Sequence, residues 1–291
     1  MLRIANLNKT YPNGVKAIDH VTLNIGKGIF GLLGPNGAGK SSLMRTIATL
    51  QEPSSGSIDF DGLNVLTDKE QMRTLLGYLP QEFGVYPWVS AEDMLHYLAL
   101  LKGITQGSQR REMVDALLDL TNLSQHRKKY LGGFSGGMKQ RFGIAQALLG
   151  NPKILIVDEP TAGLDPTERD RFLEILATLG EQIIVILSTH IVADVKELCN
   201  DMAIIHQGRV LIQASPAQAI EKIQGKLWSF CLPKAEVEFH AKNQKIISSR
   251  PFHGNYMLKV FNETQPSSRF EPCKPDLEDV YFSFSKSYIE R

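Results

Sequence analysis

The chain has 291 residues, of which 43% are hydrophobic and 22% charged, and its formal net charge is +1. That length allows one large domain or two modest ones, and the near-neutral charge argues against broad electrostatic attraction to nucleic acid or anionic lipid. Cys199, Cys231 and Cys273 lie far apart without metal-ligand spacing, which indicates reduced thiols. No apolar run is long enough to cross a bilayer, so we expect another chain to span any membrane at which this one works.

The first predicted elements are strands of an antiparallel sheet. From Leu2 to about Gly28, apolar and polar residues alternate around a turn at Pro12-Asn13-Gly14, a pattern typical of half-exposed antiparallel strands. The following residues 29–33 form an apolar run that predicts a fully buried strand. We therefore expect an N-terminal antiparallel β subdomain that leads into a buried core strand.

A glycine-rich loop follows that buried strand and precedes a helical pattern at residues 42–48. The loop matches G-x-x-x-x-G-K-[ST], the phosphate-binding pattern. Its glycines let backbone N–H groups close around phosphate oxygens, Lys40 reaches the outer phosphates, and the Ser41 hydroxyl is available to Mg²⁺. The residues predicted to bind the nucleoside triphosphate here are Gly34, Pro35, Asn36, Gly37, Ala38, Gly39, Lys40, Ser41 and Ser42.

Helical periodicity marks the middle of the chain. From Ser90 to about Leu123, apolar residues recur at helical spacing, and Ser90 and Asp93 are placed to cap the first helix. Ser135 opens a further helix that closes at Gly150. These patterns predict a helical subdomain over about residues 82–150.

The apolar strand predicted at residues 154–157 ends in Asp158 and Glu159. A carboxylate at the carboxyl end of a buried strand can hold Mg²⁺, and Asp158 is the candidate for that role. Glu159 faces differently and can orient or polarise an attacking water, which predicts hydrolysis of the nucleotide. The alternative explanation is an acidic cap in the next turn, and the preceding phosphate-binding loop disfavours it.

The rest of the chain predicts a parallel core and then a change to short strands. A helix opens at Asp165-Pro166, and the last apolar strand of the core ends at Thr189-His190. The alternation of buried strands and helices predicts an α/β fold with a parallel sheet. Beyond about residue 221, short alternating segments at residues 228–230, 237–239 and 256–260 predict the strands of a smaller domain.

Ser135, Gly136 and Gly137 open their helix with a serine and two glycines, which is a second anion-binding helix N-terminus. One nucleotide does not need two such sites. Here the chain resembles the ATPase subunits of ABC transporters, whose signature L-S-G-G-Q reads F-S-G-G-M in this sequence. The resemblance implies that these three residues bind the γ-phosphate of ATP held by the opposite subunit. Phe134 and Met138 depart from the pattern, and the backbone cradle is kept.

Further elements of the family occur in order along residues 2–220. By resemblance, the aromatic Tyr11 stacks on adenine, Gln81 contacts Mg²⁺ and the γ-phosphate, Asp165 closes a nucleotide-contacting turn, and His190 contacts the γ-phosphate and nearby water. The catalytic residues that the resemblance implies are Glu159, His190 and Gln81. The Mg²⁺ ligands that it implies are Ser41, Gln81 and Asp158.

The resemblance implies a P-loop ATPase core at residues 1–220, with its helical signature subdomain, and we expect a small C-terminal α+β accessory domain at residues 221–291. It also implies a subunit that hydrolyses ATP with Mg²⁺, forms a dimer, expected to be a homodimer, around two ATP molecules, and drives a separate transmembrane permease at the cytoplasmic face of the inner membrane. The segment at residues 82–88 and the tail at residues 277–282 are similar to those of bacterial exporter ATPases made separately from their permeases, which favours export.

Two other functions compete with transport. A soluble ABC protein that acts on nucleic acid or ribosomes would usually carry two cassettes or a long coiled coil, and the near-neutral charge also disfavours nucleic acid as a partner. A GTP-binding switch would carry an N-K-x-D motif, whereas Asn8-Lys9-Thr10-Tyr11 ends in tyrosine. Within residues 82–88, the apolar side chains predict a docking surface for a partner helix, while Phe83 could equally pack against the helical subdomain.

Overall fold

The protein is described by a computed structural model that covers residues 1–237 and 246–289. The chain divides into two compact units, Met1–Val210 and Leu211–Arg291. The predicted domain boundary lies further along, near residue 221, and the assignment of residues 211–220 to the ATPase domain stays a prediction. The strand predicted at residues 237–239 falls almost wholly outside the described residues, since of these three only Val237 is described.

The elements of the first unit are, in chain order, β1 (Leu2–Thr10), β2 (Lys16–Ile25), β3 (Gly28–Leu33), α1 (Lys40–Ile47), β4 (Ser55–Phe60), β5 (Leu63–Asn64), α2 (Lys69–Leu75), β6 (Leu76–Leu79), α3 (Ala91–Leu101), α4 (Gly107–Leu120), α5 (Gly136–Ala147), β7 (Ile154–Asp158), α6 (Pro166–Gly180), β8 (Ile184–Thr189), α7 (Val192–Leu198) and β9 (Asp201–His206). Strand β10 (Arg209–Ala214) follows. The remaining elements are α8 (Pro216–Glu221), β11 (Leu227–Leu232), β12 (Ile246–Phe252), β13 (Asn255–Phe261), β14 (Glu271–Pro272) and α9 (Leu277–Ile289). Short 3₁₀ turns lie at Ser124–His126, Leu131–Gly133 and Lys234–Glu236.

The predicted antiparallel β subdomain is confirmed. Its strands run in the order β2-β1-β4-β5, and β1 pairs antiparallel with both β2 and β4. The turn between β1 and β2 closes where the sequence predicts it, because Gly14 N donates to Tyr11 O at 2.9 Å and Tyr11 N donates to Val15 O at 2.9 Å. This turn brings Tyr11 towards the phosphate-binding loop.

The parallel sheet positions the site. Its strand order is β10-β9-β3-β8-β7-β6, and β3 pairs parallel with β8 and β9 while β7 pairs parallel with β6 and β8. Strands β7 and β8 are buried at every residue, as expected for strands covered on both faces. Because β3, β8 and β7 are adjacent and parallel, their carboxyl ends meet at one edge of the sheet. The residues that follow each strand are therefore neighbours.

Two helices of the predicted helical subdomain, α3 and α5, begin where their serine caps predict. Ser90 Oγ accepts a hydrogen bond from Asp93 N at 3.2 Å, and α3 starts at the next residue. Ser135 Oγ accepts from Met138 N at 3.2 Å and caps α5 in the same way. Both serines thus satisfy backbone donors that a helix N-terminus leaves unpaired.

The second unit has an antiparallel sheet with strand order β12-β13-β11-β14, together with α8 and α9. Inside it, Lys259 Nζ donates to both carboxylate oxygens of the buried Asp279, at 2.9 and 2.8 Å. The predicted α+β character is confirmed over the described residues. Among the residues that the structure describes, none of the helices combines the length and apolarity needed to cross a bilayer.

Cys199 is buried against β3, where a Cβ on Gly31 would lie 2.8 Å from its Sγ. Burial, with the nearby carboxylates of Asp194 and Asp201, raises the pKa of the Cys199 thiol to about 12. Since the thiolate is the nucleophilic form, this cysteine is an inert packing residue.

Candidate functional site

The phosphate-binding loop connects β3 to α1 and closes around the side chain of Lys40. Lys40 Nζ donates to Gly34 O at 2.7 Å and to Pro35 O at 3.1 Å, and the residue is 4% exposed. Gly39, the residue before α1, has φ of +106°, which a side chain would resist. The loop therefore holds a buried ammonium group at the N-terminus of a helix, where an anion is favoured.

The two predicted carboxylates lie at the end of β7. Asp158 is its last residue and is 3% exposed, and Glu159 follows with φ of +48°. Left-handed backbone is rare for residues other than glycine, and such strain is concentrated at functional sites. The turn directs the Glu159 side chain away from the line of the strand.

Ser188, in the neighbouring strand β8, organises both carboxylate residues. Its hydroxyl donates to Asp158 Oδ1, and its backbone carbonyl and Oγ accept from Glu159 N at 3.1 and 3.2 Å. The sequence alone does not reveal the role of Ser188. Its signal in the sequence is a serine that directly follows the aliphatic run at residues 183–187.

Both carboxylate oxygens of Glu159 have cationic or imidazole neighbours. Oε1 lies 3.1 Å from Lys40 Nζ, and Oε2 lies 3.1 Å from His190 Nδ1. The Glu159 side chain is 9% exposed, whereas that of His190 is 46% exposed. One carboxylate thus joins the phosphate loop after β3, the end of β7 and the residue after β8.

A cavity of about 530 Å³ opens at this edge of the sheet, a size typical of small-molecule sites. It brings together the predicted Tyr11, Gln81 and Glu159 with the phosphate loop. It also includes residues that the sequence did not reveal, among them Lys16 and Gln207. The residues that line it are Tyr11, Val15, Lys16, Ala17, Asn36, Gly37, Ala38, Gly39, Lys40, Ser41, Ser42, Gln81, Glu159 and Gln207.

Tyr11 is held at the rim of this cavity by polar contacts. Its hydroxyl donates to Gln51 Oε1 at 3.0 Å and lies 3.1 Å from Ser42 Oγ. Lys9 Nζ lies 5.4 Å from the centroid of its ring, within the range of a cation–π contact. The aromatic ring is therefore fixed beside the phosphate loop.

The oxygen donors around the cavity match the coordination chemistry of Mg²⁺. Ser41 and Gln81 line the cavity and supply a hydroxyl and an amide oxygen. Asp158, at the end of β7, supplies a carboxylate whose Oδ2 lies outside the bond to Ser188. Within the described residues, no cluster of three or more acidic, histidine or cysteine side chains forms a complete metal cage. Mg²⁺ needs none, because it commonly takes one or two carboxylates and completes its shell with phosphate oxygens and water.

Gly34, Pro35, Asp158 and His190 do not line the cavity itself but belong to the phosphate loop and the ends of β7 and β8. The other predicted nucleotide contacts lie outside this group. Ser135, Gly136 and Gly137 lie at the N-terminus of α5, and Asp165 caps α6 by accepting from Glu168 N at 2.9 Å. The predicted site residues therefore form two groups, one around the phosphate loop and one at the N-termini of α5 and α6.

Phe134 and Met138, the two residues that depart from the family signature, are both buried in the structure. Phe134 is 5% exposed, and its ring meets that of Phe142 edge-on, with 6.4 Å between centroids. Met138 is also buried, while its backbone N–H is bound by Ser135. The turn that presents Ser135 is thus intact.

Comparisons with known proteins identify the family. Residues 18–162 match the ABC transporter family model. The chain is 31% identical to an uncharacterized ABC transporter ATP-binding protein, YxlF of Bacillus subtilis, over 97% of this chain and 98% of that protein. It is 34% identical to the bacitracin transport ATP-binding protein BcrA of Bacillus licheniformis, over 80% and 75%. It is also 34% identical to the methionine import ATP-binding protein MetN of Helicobacter hepaticus, over 88% and 76%.

A solved structure, the dimeric post-hydrolysis state of the ATP-binding cassette MJ0796 bound to ADP and Pi, superposes with a TM-score of 0.67. It is 27% identical and covers 74% of this chain and 98% of that one. The chain belongs to the ABC transporter family, as an ATP-binding subunit. Such subunits bind ATP with Mg²⁺, hydrolyse it, dimerise and act at a membrane through a separate permease.

We expect Gly39→Ala to weaken ATP binding more than Gly37→Ala. A Cβ on Gly39 would lie 2.2 Å from Ala17 O, whereas a Cβ on Gly37 would meet nothing within 4 Å. Both glycines have positive φ, which costs a side chain about 1–2 kcal/mol in either variant, so the two variants differ in the backbone contact. Titration with a fluorescent ATP analogue measures the difference. Equal losses in the two variants would contradict the backbone contact.

Proposed function

We propose that this chain forms a homodimer that hydrolyses two ATP molecules and drives export through a separate permease, from the cytoplasmic face of the cell membrane. The observation that carries the ATPase site is the Glu159 carboxylate held between Lys40 of the phosphate loop and His190. Support for export comes from the aromatic segment at residues 82–88 and the tail at residues 277–282. The similarities to BcrA and to MetN support transport in general.

ATP binding follows from the phosphate loop and its surroundings. Backbone N–H groups of the loop and the N-terminus of α1 face the phosphates, and Lys40 contributes a direct charge-assisted bond. Tyr11, at the rim of the cavity, offers its ring to adenine. Ser41, Gln81 and Asp158 would hold Mg²⁺, which neutralises charge on the outer phosphates when it is bound.

Glu159 is placed to act as the general base. A water oxygen attacks the γ-phosphorus, the bond from that phosphorus to the bridging oxygen breaks, and the water proton passes to the Glu159 carboxylate, leaving ADP and phosphate. Lys40 and His190 fix the two carboxylate oxygens, and Ser188 fixes the backbone of the turn. His190 is exposed enough to reach the γ-phosphate as well.

The second group of residues completes the site from another copy of the chain. Ser135, Gly136, Gly137 and Asp165 lie at helix N-termini outside the cavity that holds the phosphate loop. Helix N-termini with a capping serine favour anions. Two copies arranged head to tail would therefore each complete the other's ATP site, with the γ-phosphate between Lys40 of one and Ser135 of its partner.

The segment at residues 82–88 has a half-buried residue, Phe83, and an exposed tip. A Cβ on Gly143 of α5 would lie 2.7 Å from Phe83 Cζ, so Phe83 packs against the helical subdomain and is not a docking residue. Gly132 N donates to Pro87 O at 3.0 Å, which holds the backbone of the tip. Tyr86 and Trp88 remain 63% and 82% exposed. Exposed aromatics on a fixed backbone are suited to anchoring a partner.

A separate groove of about 460 Å³, which neither Tyr86 nor Trp88 lines, is a second candidate for docking. It lies between β6 and α3, the two elements that the aromatic segment connects, and its apolar lining includes Leu50 and Leu101, which are 61% and 67% exposed. Apolar side chains this exposed are typical of protein contacts. We propose that a helix of the permease lies along the groove and contacts Tyr86 and Trp88.

The first prediction from this mechanism concerns Glu159→Gln, which removes the base and keeps the phosphate loop. We expect turnover to fall by at least about 100-fold, the usual contribution of a positioned general base, while ATP affinity is retained. Phosphate release and nucleotide titration measure the two quantities. Glu181→Gln on the exposed end of α6 is the matched control. Normal turnover in Glu159→Gln would exclude the carboxylate from the chemistry.

The composite site predicts complementation between two inactive variants. Ser135→Arg blocks the helix N-terminus, and Lys40→Ala damages the phosphate loop. In a mixed dimer, one site carries both defects and the other carries neither. We expect ATP hydrolysis by the mixture to exceed that of either variant alone. Activity in Ser135→Arg equal to that of the unmodified chain would overturn the assignment.

Docking through the aromatic tip predicts a separation of transport from hydrolysis. Replacing Tyr86 and Trp88 with serine should lower recovery of the co-expressed permease and leave ATP turnover of the isolated subunit within about twofold, because neither residue lines the ATP cavity. Phe252→Ser, an exposed aromatic in the second unit, is the control. Unchanged recovery of the permease with both serines in place would contradict the docking site.

A further inference from the structure

Glu168, in the first turn of α6, lies directly over the signature turn of α5. A Cβ on Gly137 would be 2.3 Å from Glu168 Oε2 and 2.7 Å from its Cδ. No side chain fits at position 137 while the carboxylate stays there. The requirement for glycine at position 137 therefore arises within its own subunit and does not depend on a phosphate.

Arg141, one turn further along α5, pairs with the same carboxylate. Its Nε lies 3.2 Å from Glu168 Oε2, and its Nη2 lies 3.5 Å from Glu168 Oε1. Its Nη1 donates to Thr121 O at 3.1 Å and to Asn122 O at 3.0 Å, at the end of α4. The Arg141 side chain is 7% exposed. This ion pair joins α6 of the core to two helices of the helical subdomain.

The next residue of α6, Arg169, connects the same turn to α7 on the other side. Arg169 Nε donates to Asp194 Oδ1 at 2.8 Å, and Thr161 Oγ1 donates to Asp194 Oδ2 at 2.6 Å. Asp194 is fully buried in α7, the helix that follows His190. The first turn of α6 is thus held on one side to the signature helix and on the other to the helix after His190.

We propose that Glu168 is a positioning residue, which sets the spacing between the Ser135 turn and the Asp165 turn so that both meet the ATP of the second subunit. The proposal rests on the composite site described under Proposed function. A buried ion pair is weak evidence for stability alone, and its better-attested use is to fix the register of the elements that it joins. Here those elements carry the two turns that contact the partner's nucleotide.

The experiment measures ATP-driven dimerisation by light scattering, with every variant made in the full-length Glu159→Gln chain so that ATP persists. We expect Glu168→Ala and Gly137→Ala each to weaken dimerisation about tenfold. The double variant should also weaken it about tenfold, because Glu168→Ala removes the carboxylate that pairs with Arg141 and Gly137→Ala displaces the same carboxylate. Independent effects would multiply to about 100-fold. Affinity of the Glu168→Ala chain for a fluorescent ATP analogue should stay unchanged, since Glu168 does not line the ATP cavity.

Two further variants keep the result interpretable. Glu168→Gln preserves the volume of the side chain and removes its charge, so it replaces Glu168→Ala if that variant fails to fold. Glu174→Gln, an exposed residue on the same helix, is the control and should dimerise normally. Normal dimerisation of both Glu168 variants, or a 100-fold loss in the double variant, would overturn the positioning role. Normal dimerisation of Ser135→Arg in the same assay would instead overturn the composite site itself.

Discussion

The contact between Lys40 and Glu159 depends on the order of strands in the parallel sheet. Because β8 lies between β3 and β7, the loop after β3, the turn after β7 and the residue after β8 all reach the same edge. Glu159 spans that edge, with Lys40 on one carboxylate oxygen and His190 on the other. The proposed phosphate-binding charge and the proposed base for hydrolysis are thereby placed together. A change of strand order would separate them even if every motif were kept.

That edge supplies only part of an ATPase site. The helix N-termini that carry Ser135 and Asp165 lie outside the cavity of the phosphate loop, and the Glu168–Arg141 pair joins them to each other. A rigid half-site of this kind can act on the nucleotide of a second chain. Nucleotide binding, dimer formation and hydrolysis are then linked, because ATP is fully surrounded only when two chains meet. If a permease docks on the aromatic tip, the movement of the two chains towards each other would also move the attached permease.

Features that depend on neighbours in the sequence could be predicted, and those that depend on neighbours in space could not. The phosphate loop, the caps at Ser90 and Ser135, and the acids after an aliphatic run follow from local chemistry. The left-handed backbone of Glu159, its bond to Ser188 and the contribution of Gln207 to the cavity arise from strands that are distant in sequence. Phe83 shows the same limit, since only the fold reveals that Gly143 leaves room for its ring.

The central claim is that each ATP is held between two copies of this chain. The most direct measurement is native mass spectrometry of the Glu159→Gln chain with ATP and Mg²⁺, which reports chains and nucleotides in one complex. The composite site predicts a species of two chains with two ATP molecules, and a single chain when ATP is replaced by ADP. ATP-bound chains that never form a dimer would contradict the claim. A dimer that forms equally well without nucleotide would also contradict it.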